Sequence, residues 1–226
     1  NIDSQYRIRD LSTIKSQCSF VIDRPEGLPS LSINLGMPGR HNALNAAAAI
    51  AVASDEGVSD TSITEGLRKF GGVGRRFEIL GNYNITDGNA LLVDDYGHHP
   101  TEVNATIDAV RDGWPERRLI MIFQPHRYSR TKDFYNEFVD VLSRVDELLL
   151  LDIYAAGEES IPDITSPRLL ESIETRGIIK PLYVEHLELV PTLLRGLVRN
   201  RDIVLTQGAG SVSKLVAMLQ ASKGVG

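Results

Sequence analysis

The part of the chain after residue 74 alternates short apolar runs with segments of helical periodicity. A continuous apolar run predicts a buried strand at 119–123, and further strands are predicted at 148–153, 182–184 and 203–205. Between them, apolar residues recur at helical spacing, as Val103, Ile107 and Val110 do in the helix predicted for 101–111. Further helices are predicted at 132–145, 168–175, 191–198 and 212–220. This alternation is typical of an α/β fold with a mostly parallel sheet that helices cover on both faces.

The first 74 residues have a different pattern, which predicts a smaller, partial α/β segment. Short β-like stretches at 18–22 and 30–35 surround a turn-forming stretch and predict a hairpin. An alanine-rich helix then runs to Ala53, and a second, short helix runs from 62 to 70 with Asp60 or Thr61 as its cap.

A glycine-rich stretch, 71–74, follows the second helix and predicts a domain boundary at Gly74. Residues 1–74 and 75–226 are therefore treated as two domains. The second domain opens with a predicted strand pair, 77–83 and 90–93, joined by a polar turn that contains Asp87 and Gly88.

Polar residues follow four of the predicted strands, at the point where each strand ends. These clusters occupy 94–99, 124–130, 154–159 and 207–211. Because an α/β sheet binds ligands at the carboxyl ends of its parallel strands, we expect the clusters to share one ligand-binding edge.

The first cluster, D-D-Y-G-H-H-P from 94 to 100, carries two carboxylates and two imidazoles. Asp94 and Asp95 could bind Mg²⁺, ribose hydroxyls or phosphate-bound water of a nucleotide, or could serve only as turn and capping residues. His98 and His99 point in different directions on a loop, so we expect one to bond the backbone and the other to reach the ligand.

The second cluster places His126, Arg127 and Arg130 at the start of a helix. Planar guanidinium groups three residues apart suit bidentate capture of a carboxylate or phosphate, although surface arginines are usually only solvated. Arg75 and Arg76, just after the boundary, could likewise neutralise a terminal phosphate or remain solvated.

At the start of the alanine-rich helix lie His41, Asn42 and Asn45. Amide groups can pair with an adenine edge, and an imidazole can stack on the base or contact ribose. A plain helix cap is the alternative for Asn42. Elsewhere, Glu158 and Glu159 are expected to be exposed loop acids, and Trp114 and Tyr183 to be packing residues.

Composition narrows the class of protein. Apolar residues make up 42% and charged residues 24% of the 226 residues, as in ordinary globular proteins, and the formal net charge of -6 argues against a nucleic-acid binder. The single cysteine, Cys18, has no internal disulfide partner and suggests a reducing cytoplasm; no apolar run approaches the length of a membrane span.

Two phosphate-binding signatures are missing from the 226 residues. There is no G-x-x-x-x-G-K-[ST] sequence, and 207–211 lacks the spacing of a G-x-G-x-x-G dinucleotide site, which disfavours a NAD-dependent enzyme. Since the chain begins at Asn1 without a methionine, we expect it to be a piece of a longer protein that carries the phosphate cradle elsewhere.

Five segments together resemble the Mur ligase family. They are G-R-H-N-A-L-N-A (39–46), G-G-V-G-R-R-F-E (71–78), D-D-Y-G-H-H-P-T-E (94–102), F-Q-P-H-R-Y-S-R-T (123–131) and T-Q-G-A-G-S-V-S-K (206–214). The family has an amino-terminal domain for the UDP-sugar, a central ATPase and a Rossmann-like carboxyl-terminal domain that admits the amino acid. The resemblance implies that this chain combines the end of the central domain with the whole last domain.

The resemblance also implies roles for individual residues. His41, Asn42 and Asn45 would contact adenine, Arg76 and less clearly Arg75 the γ-phosphate, and Asp95, beside Asp94, the ATP ribose and phosphates. The amino-acid pocket would be lined by Tyr96, His98, His126, Arg127 and Arg130. Its two arginines would bind the carboxylate of the amino acid. Arg76 and His98 would lie closest to the reacting groups and are the expected catalytic residues. No metal ligand is assigned, because the main Mg²⁺ ligands would lie upstream.

The activity implied is ATP- and Mg²⁺-dependent ligation of L-alanine to UDP-N-acetylmuramate in bacterial peptidoglycan synthesis, through an acyl phosphate. The isolated chain, lacking the P-loop, is expected to be inactive. Two alternatives remain at this stage: a family member that recycles muramyl peptides, and a non-catalytic module that binds nucleotide or amino acid.

Overall fold

In a computed structural model of the protein, which describes residues 5–221, the chain divides into two compact units. The first unit runs to Val73 and also takes in Asp108–Pro115. The second unit consists of Gly74–Ile107 and the chain from Glu116 onwards. No helix in the described part of the chain is both long and apolar enough to span a membrane.

The first unit contains an antiparallel sheet and two helices. Its elements are β1 (Arg7–Ile14), β2 (Gln17–Asp23), β3 (Leu31–Leu35), α1 (Arg40–Asp55) and α2 (Asp60–Lys69), with the strands in the order β1-β2-β3. Alternate residues of β3, such as Ile33, are buried and pack with apolar residues of β2 and the helices, such as Phe20, Ile50 and Ile63. The predicted hairpin and both helices are confirmed.

Two details of the first unit differ from the sequence prediction. Strand β1 was not predicted, because its residues are half-buried or exposed and its apolar signal is weak. The cap of α2 is Ser59, whose hydroxyl accepts a hydrogen bond from the Ser62 N–H at 3.3 Å, rather than Asp60 or Thr61.

The second unit is built on one six-stranded sheet in the order β4-β5-β9-β6-β7-β8. Its elements are β4 (Glu78–Ile85), β5 (Gly88–Asp95), α3 (Pro100–Gly113, which ends in the first unit), β6 (Leu119–Phe123), α4 (Tyr128–Asp133), α5 (Tyr135–Leu142), β7 (Glu147–Leu151), α6 (Ser166–Thr175), β8 (Leu182–Val184), α7 (Val190–Leu197), β9 (Ile203–Gln207) and α8 (Ser213–Ala221). Strand β4 pairs antiparallel with β5, and all other pairs are parallel. The predicted α/β class is confirmed.

The last strand of the chain lies in the middle of this sheet. Every residue of β9 is buried, and its register places Gln207 beside Asp95 on one side and Phe123 on the other. The carboxyl ends of β5, β9 and β6 therefore meet at one edge, as the polar clusters predicted.

The helix predicted for 132–145 is wrong in its extent. The structure has two short helices, α4 and α5, separated by Phe134, whose φ of −116° and ψ of 29° depart from helical values. The pair begins at Tyr128, so the loop after β6 is shorter than the sequence indicated.

Candidate functional site

Two buried carboxylates end β5, and the protein itself supplies their hydrogen-bond donors. Oδ2 of Asp94 accepts from Arg75 Nε at 2.8 Å, and its Oδ1 accepts from the Thr206 hydroxyl at 2.6 Å. Oδ2 of Asp95 accepts from the Phe77 N–H, and its Oδ1 accepts from the Gly97 N–H and from Gln207 Nε2, all at 2.8 Å. Burial raises the pKa of Asp95, although the hydrogen bonds from the Phe77 and Gly97 N–H groups oppose the rise.

This arrangement matches the structural alternative considered for the carboxylate pair. An ionised carboxylate can accept several hydrogen bonds at once. By accepting from residues 75–77 and from β9, the two carboxylates hold residues 75–77 against the ends of β5 and β9. Direct contact of Asp94 or Asp95 with a nucleotide stays a prediction. Among the described residues there is no group of three or more side chains that could hold a metal ion.

Arg75 and Arg76 are adjacent but differ in their surroundings. The Arg75 guanidinium, besides bonding Asp94, donates to the Gly208 carbonyl at 2.6 Å and lies 5.2 Å from the centre of the Tyr96 ring. Arg76 is exposed and forms no hydrogen bond or ion pair within residues 5–221. Of the two, Arg76 is the one whose guanidinium is free to meet a phosphate.

Glycines let the chain pass close to these groups. A Cβ on Gly97 would lie 2.6 Å from both Asp95 Oδ1 and Gln207 Nε2. One on Gly208, where φ is +140°, would lie 2.7 Å from the Gln124 carbonyl oxygen. Both turns therefore require glycine.

Four rings form a cluster beyond the strand ends. The ring of His98 lies 5.3 Å from that of Tyr96 and 5.4 Å from that of His126, and His126 stacks on Tyr154 at 5.5 Å. The backbone of His126 also pairs with that of Tyr154 as a parallel β-bridge. Residues from the loops after β5, β6 and β7 thus come together at one place.

The two adjacent histidines have separate environments. The His99 ring packs on Phe134 at 4.4 Å, and its Nδ1 accepts from the Thr101 N–H at 3.3 Å. The His98 ring faces the cluster instead, with Nδ1 3.2 Å from the Tyr96 carbonyl oxygen. Both backbone N–H groups donate to Glu102 Oε2 at 3.0 Å, and although burial opposes ionisation, these bonds hold the pKa of Glu102 below its ordinary value.

Arg127 and Arg130 border the ring cluster. Nη1 of Arg130 lies 3.2 Å from both Nδ1 and the carbonyl oxygen of His126, whereas the Arg127 side chain is half exposed, with Nη1 4.0 Å from Glu158 Oε1. Arg127 has a left-handed φ of 73°, and its N–H donates to the Tyr154 carbonyl at 2.8 Å. Burial, assisted by the charges of His98, Arg130 and Arg127, lowers the pKa of His126.

Glu158 is not the exposed loop acid that the sequence suggested. It is only partly exposed, and its carboxylate accepts from the N–H of Ser129 at 3.0 Å and from its hydroxyl at 2.6 Å. The hydrogen bonds from Ser129 lower the pKa of Glu158. Glu159 is exposed and Trp114 is buried, as expected.

The residues predicted to contact adenine lie at the start of α1 in the first unit. Asn42 is buried, and its Nδ2 donates to the Pro38 carbonyl at 2.8 Å, whereas His41 is partly exposed and Asn45 is exposed. The cap of α1 is Gly39, with a φ of 95° and no side-chain hydrogen bond. Asn42 therefore fixes the turn before the helix, and the adenine role of all three residues stays a prediction.

Several polar residues of this edge were given no role of their own by the sequence, although most of them lie in the predicted clusters. Gln124 links the ends of two strands, because its Oε1 accepts from the Val212 N–H at 2.8 Å and its Nε2 donates to the Ser211 hydroxyl at 3.0 Å. Thr206 and Gln207 bond the two carboxylates, and Tyr154 completes the ring cluster. Gln124 directly follows an apolar strand and Thr206 directly follows an apolar run, which is the sequence signal for these two residues.

A mostly parallel sheet with polar, cationic and aromatic side chains gathered at its carboxyl edge defines an α/β ligand-binding domain. Residues 75–210, more than half of the chain, match the family model described as Mur ligase, glutamate ligase domain. The chain belongs to this family.

Solved structures share the fold over nearly all of the chain. UDP-N-acetylmuramate-alanine ligase MurC from Thermotoga maritima is 25% identical with a TM-score of 0.79, and the match covers 96% of this chain and 45% of that one. A murein peptide ligase from Psychrobacter arcticus is 22% identical (TM-score 0.63; 98% and 45% covered). MurF ligase from Thermotoga maritima, in complex with ADP, is 18% identical (TM-score 0.69; 97% and 47% covered). This chain thus spans a little under half the length of each of these proteins.

Proposed function

We propose that the protein takes part in the ATP- and Mg²⁺-dependent ligation of L-alanine to UDP-N-acetylmuramate, a step of bacterial peptidoglycan synthesis in the cytoplasm. The observation that carries the proposal is the 25% identity and TM-score of 0.79 to a UDP-N-acetylmuramate-alanine ligase across 96% of the chain. Residues 75–226 form the amino-acid-binding domain, and residues 1–74 belong to the end of a central ATP-binding domain.

The sheet edge has the chemistry that an amino acid requires. Arg127 and Arg130 are cations that can pair with an α-carboxylate in bidentate fashion, and His98 and His126 stand beside them with ring centres 5.4 Å apart. Holding the amine near an acyl phosphate is a positioning effect, which removes much of the entropic barrier to attack.

Other residues bind the nucleotide in this proposal. His41, Asn42 and Asn45 contact adenine, and the exposed Arg76 neutralises charge on the γ-phosphate. Asp95, with Asp94, acts mainly by holding residues 75–77 in place. The phosphate cradle and the main Mg²⁺ ligands come from a segment other than these 226 residues, which contain no G-x-x-x-x-G-K-[ST] sequence.

The test is a ligation assay with the complete polypeptide that contains this chain. It is supplied with ATP, Mg²⁺ and UDP-N-acetylmuramate, and with either L-alanine or L-alanyl-γ-D-glutamyl-meso-diaminopimelate. Phosphate release together with the alanine adduct in the mass spectrum supports the proposal. Use of the tripeptide alone identifies a recycling ligase, and use of neither identifies a binding module; both results overturn the proposal.

Substitutions connect the activity to the sheet edge. Arg127→Ala and Arg130→Ala each remove a charged hydrogen-bond donor and should raise the KM for alanine by about tenfold or more. Arg195→Ala, on the exposed surface of α7, is the matched control and should leave the KM unchanged. An unchanged alanine KM in both site variants would remove the arginines from the pocket.

A further inference from the structure

The rings of His98 and His126 lie side by side, but their Nδ1 atoms have chemically opposite partners. Nδ1 of His126 is 3.2 Å from Arg130 Nη1, and Nδ1 of His98 is 3.2 Å from the Tyr96 carbonyl oxygen. A guanidinium can only donate and a carbonyl can only accept. The partners therefore determine which nitrogen of each ring carries the proton.

For His126, the partner requires a lone pair on Nδ1. Arginine keeps its protons in proteins, so the Nη1–H···Nδ1 bond exists only while Nδ1 is unprotonated. The neutral ring consequently carries its proton on Nε2. A second proton on Nδ1 would replace this bond with two opposed N–H groups, which agrees with the lowered pKa of His126.

For His98, the partner of Nδ1 is an acceptor, so the proton must be on Nδ1 rather than on Nε2. Nδ1 must carry the proton in order to donate to the Tyr96 carbonyl, and the Glu102 carboxylate 3.9 Å from Nδ1 favours the same form. In the neutral ring Nε2 then holds the lone pair. Neither Nε2 atom has a hydrogen-bond partner within residues 5–221, so both are available to a ligand.

We propose that the two rings are held in opposite tautomers, so that His126 donates from Nε2 to the carboxylate of the bound amino acid while Nε2 of His98 removes a proton from its ammonium group. The inference rests on the proposed function and assigns separate roles within that site. An α-amino acid presents a carboxylate, which accepts hydrogen bonds, and an ammonium group, which donates them. The Nε2–H of His126 complements the first group and the Nε2 lone pair of His98 complements the second.

The proton transfer balances without another reagent. The ammonium group gives H⁺ to His98, which becomes an imidazolium cation and leaves a neutral amine. The amine lone pair forms a C–N bond at the carbon of the acyl phosphate, the C–O bond to phosphate breaks, and phosphate leaves with the second proton of the nitrogen. Glu102 lies on the Nδ1 side of that cation and offsets its charge. The other charged or titratable groups beside the two rings are Arg127, Arg130, Glu158, Tyr96 and Tyr154.

The tautomers can be measured without any activity. In the ¹⁵N-histidine-labelled chain, long-range ¹H–¹⁵N spectra at neutral pH should show His98 protonated at Nδ1 and His126 at Nε2, with assignments from His98→Gln and His126→Gln. Arg130→Met should turn His126 into a tautomer mixture. Arg127→Met, which removes the same charge but no hydrogen bond to the ring, should not. The same tautomer in both rings overturns the proposal.

The roles are separated by kinetics in the complete protein. His98→Gln should lower kcat at least tenfold with little change in the KM for the amino acid, and should remove the acidic limb of the kcat–pH profile. His126→Ala should raise that KM at least tenfold, and His126→Gln, whose amide N–H replaces Nε2–H, should restore most of it. An unchanged kcat in His98→Gln overturns the proton-transfer role. Absence of ligation in the unaltered protein is instead a failure of the proposed function, and is seen before any substitution.

Discussion

The Nε atom of Arg75 lies 2.8 Å from Oδ2 of Asp94, a carboxylate whose side chain is only 3% exposed. The Arg75 side chain is 26% exposed and also donates to the Gly208 carbonyl. Its backbone has a left-handed φ of 59°, a conformation that a non-glycine residue keeps only when its surroundings hold it there. The ion pair thus fastens the first residues of the second unit to the ends of β5 and β9.

Breaking this pair should destabilise the second unit. Arg75→Met leaves the buried Asp94 carboxylate with the Thr206 hydroxyl as its only donor among residues 5–221. We expect the free energy of unfolding to fall by about 2 kcal/mol, allowing for screening of the partly exposed arginine. Urea denaturation measures the change. Arg68→Met, which breaks an exposed pair with Glu65 on α2, should change stability by less than about 0.5 kcal/mol. Equal effects of the two substitutions would show that the Arg75 pair is not a structural anchor.

The neighbouring arginines should separate stability from catalysis. Arg76→Ala removes an exposed side chain, so the free energy of unfolding should stay within about 0.5 kcal/mol of the unaltered value. If Arg76 neutralises the γ-phosphate, the kcat of the complete protein in the proposed ligation should fall by about a hundredfold or more. Steady-state phosphate release together with urea denaturation checks both parts. A destabilised but fully active Arg76 variant would show that Arg76 supports the fold and not catalysis.

The turn after β9 should tolerate no side chain at Gly208. An alanine Cβ would meet the Gln124 carbonyl oxygen at 2.7 Å at a φ of +140°, so Gly208→Ala should cost roughly 2 kcal/mol or more and disturb the Arg75 contact. Gly196→Ala is the matched control, because a Cβ there meets nothing within 4 Å and the residue lies inside α7. It should stabilise the protein by up to about 1 kcal/mol. Both values come from urea denaturation, and a neutral Gly208→Ala would contradict the close packing.

Tyr183 provides a pH test at another place in the sheet. Burial and a hydrogen bond from its hydroxyl to Asp152, 2.7 Å away, raise the pKa of Tyr183 from 10.0 to about 12. Since the folded state favours the neutral phenol, this stabilisation is complete below pH 10 and is lost as the pH rises to about 12. The difference in unfolding free energy between the protein and Tyr183→Phe should therefore shrink across that range. A constant difference would mean that the phenol titrates normally, whereas Asp152→Asn should lower its pKa.

Local patterns predicted much of the fold. Continuous apolar runs identified the buried strands of the parallel sheet because such strands have no solvent-facing side, and the burial of all five residues of β6 and β9 confirms this. The same reasoning missed β1, where no residue is buried, and joined α4 to α5, because apolar periodicity continues across the irregular backbone of Phe134.

The sequence by itself determined which residue types stand where the strands of the sheet end, among them the carboxylates of Asp94 and Asp95, three histidines and two arginines. Only the tertiary structure decided their partners. Strand β9 inserts between β5 and β6, so Thr206 and Gln207 reach carboxylates 112 positions away in the chain. No local period encodes strand order, because it depends on long-range packing. For the same reason Asp94 and Asp95 became anchors for residues 75–77, and His98 and His126 became neighbours with opposite Nδ1 partners.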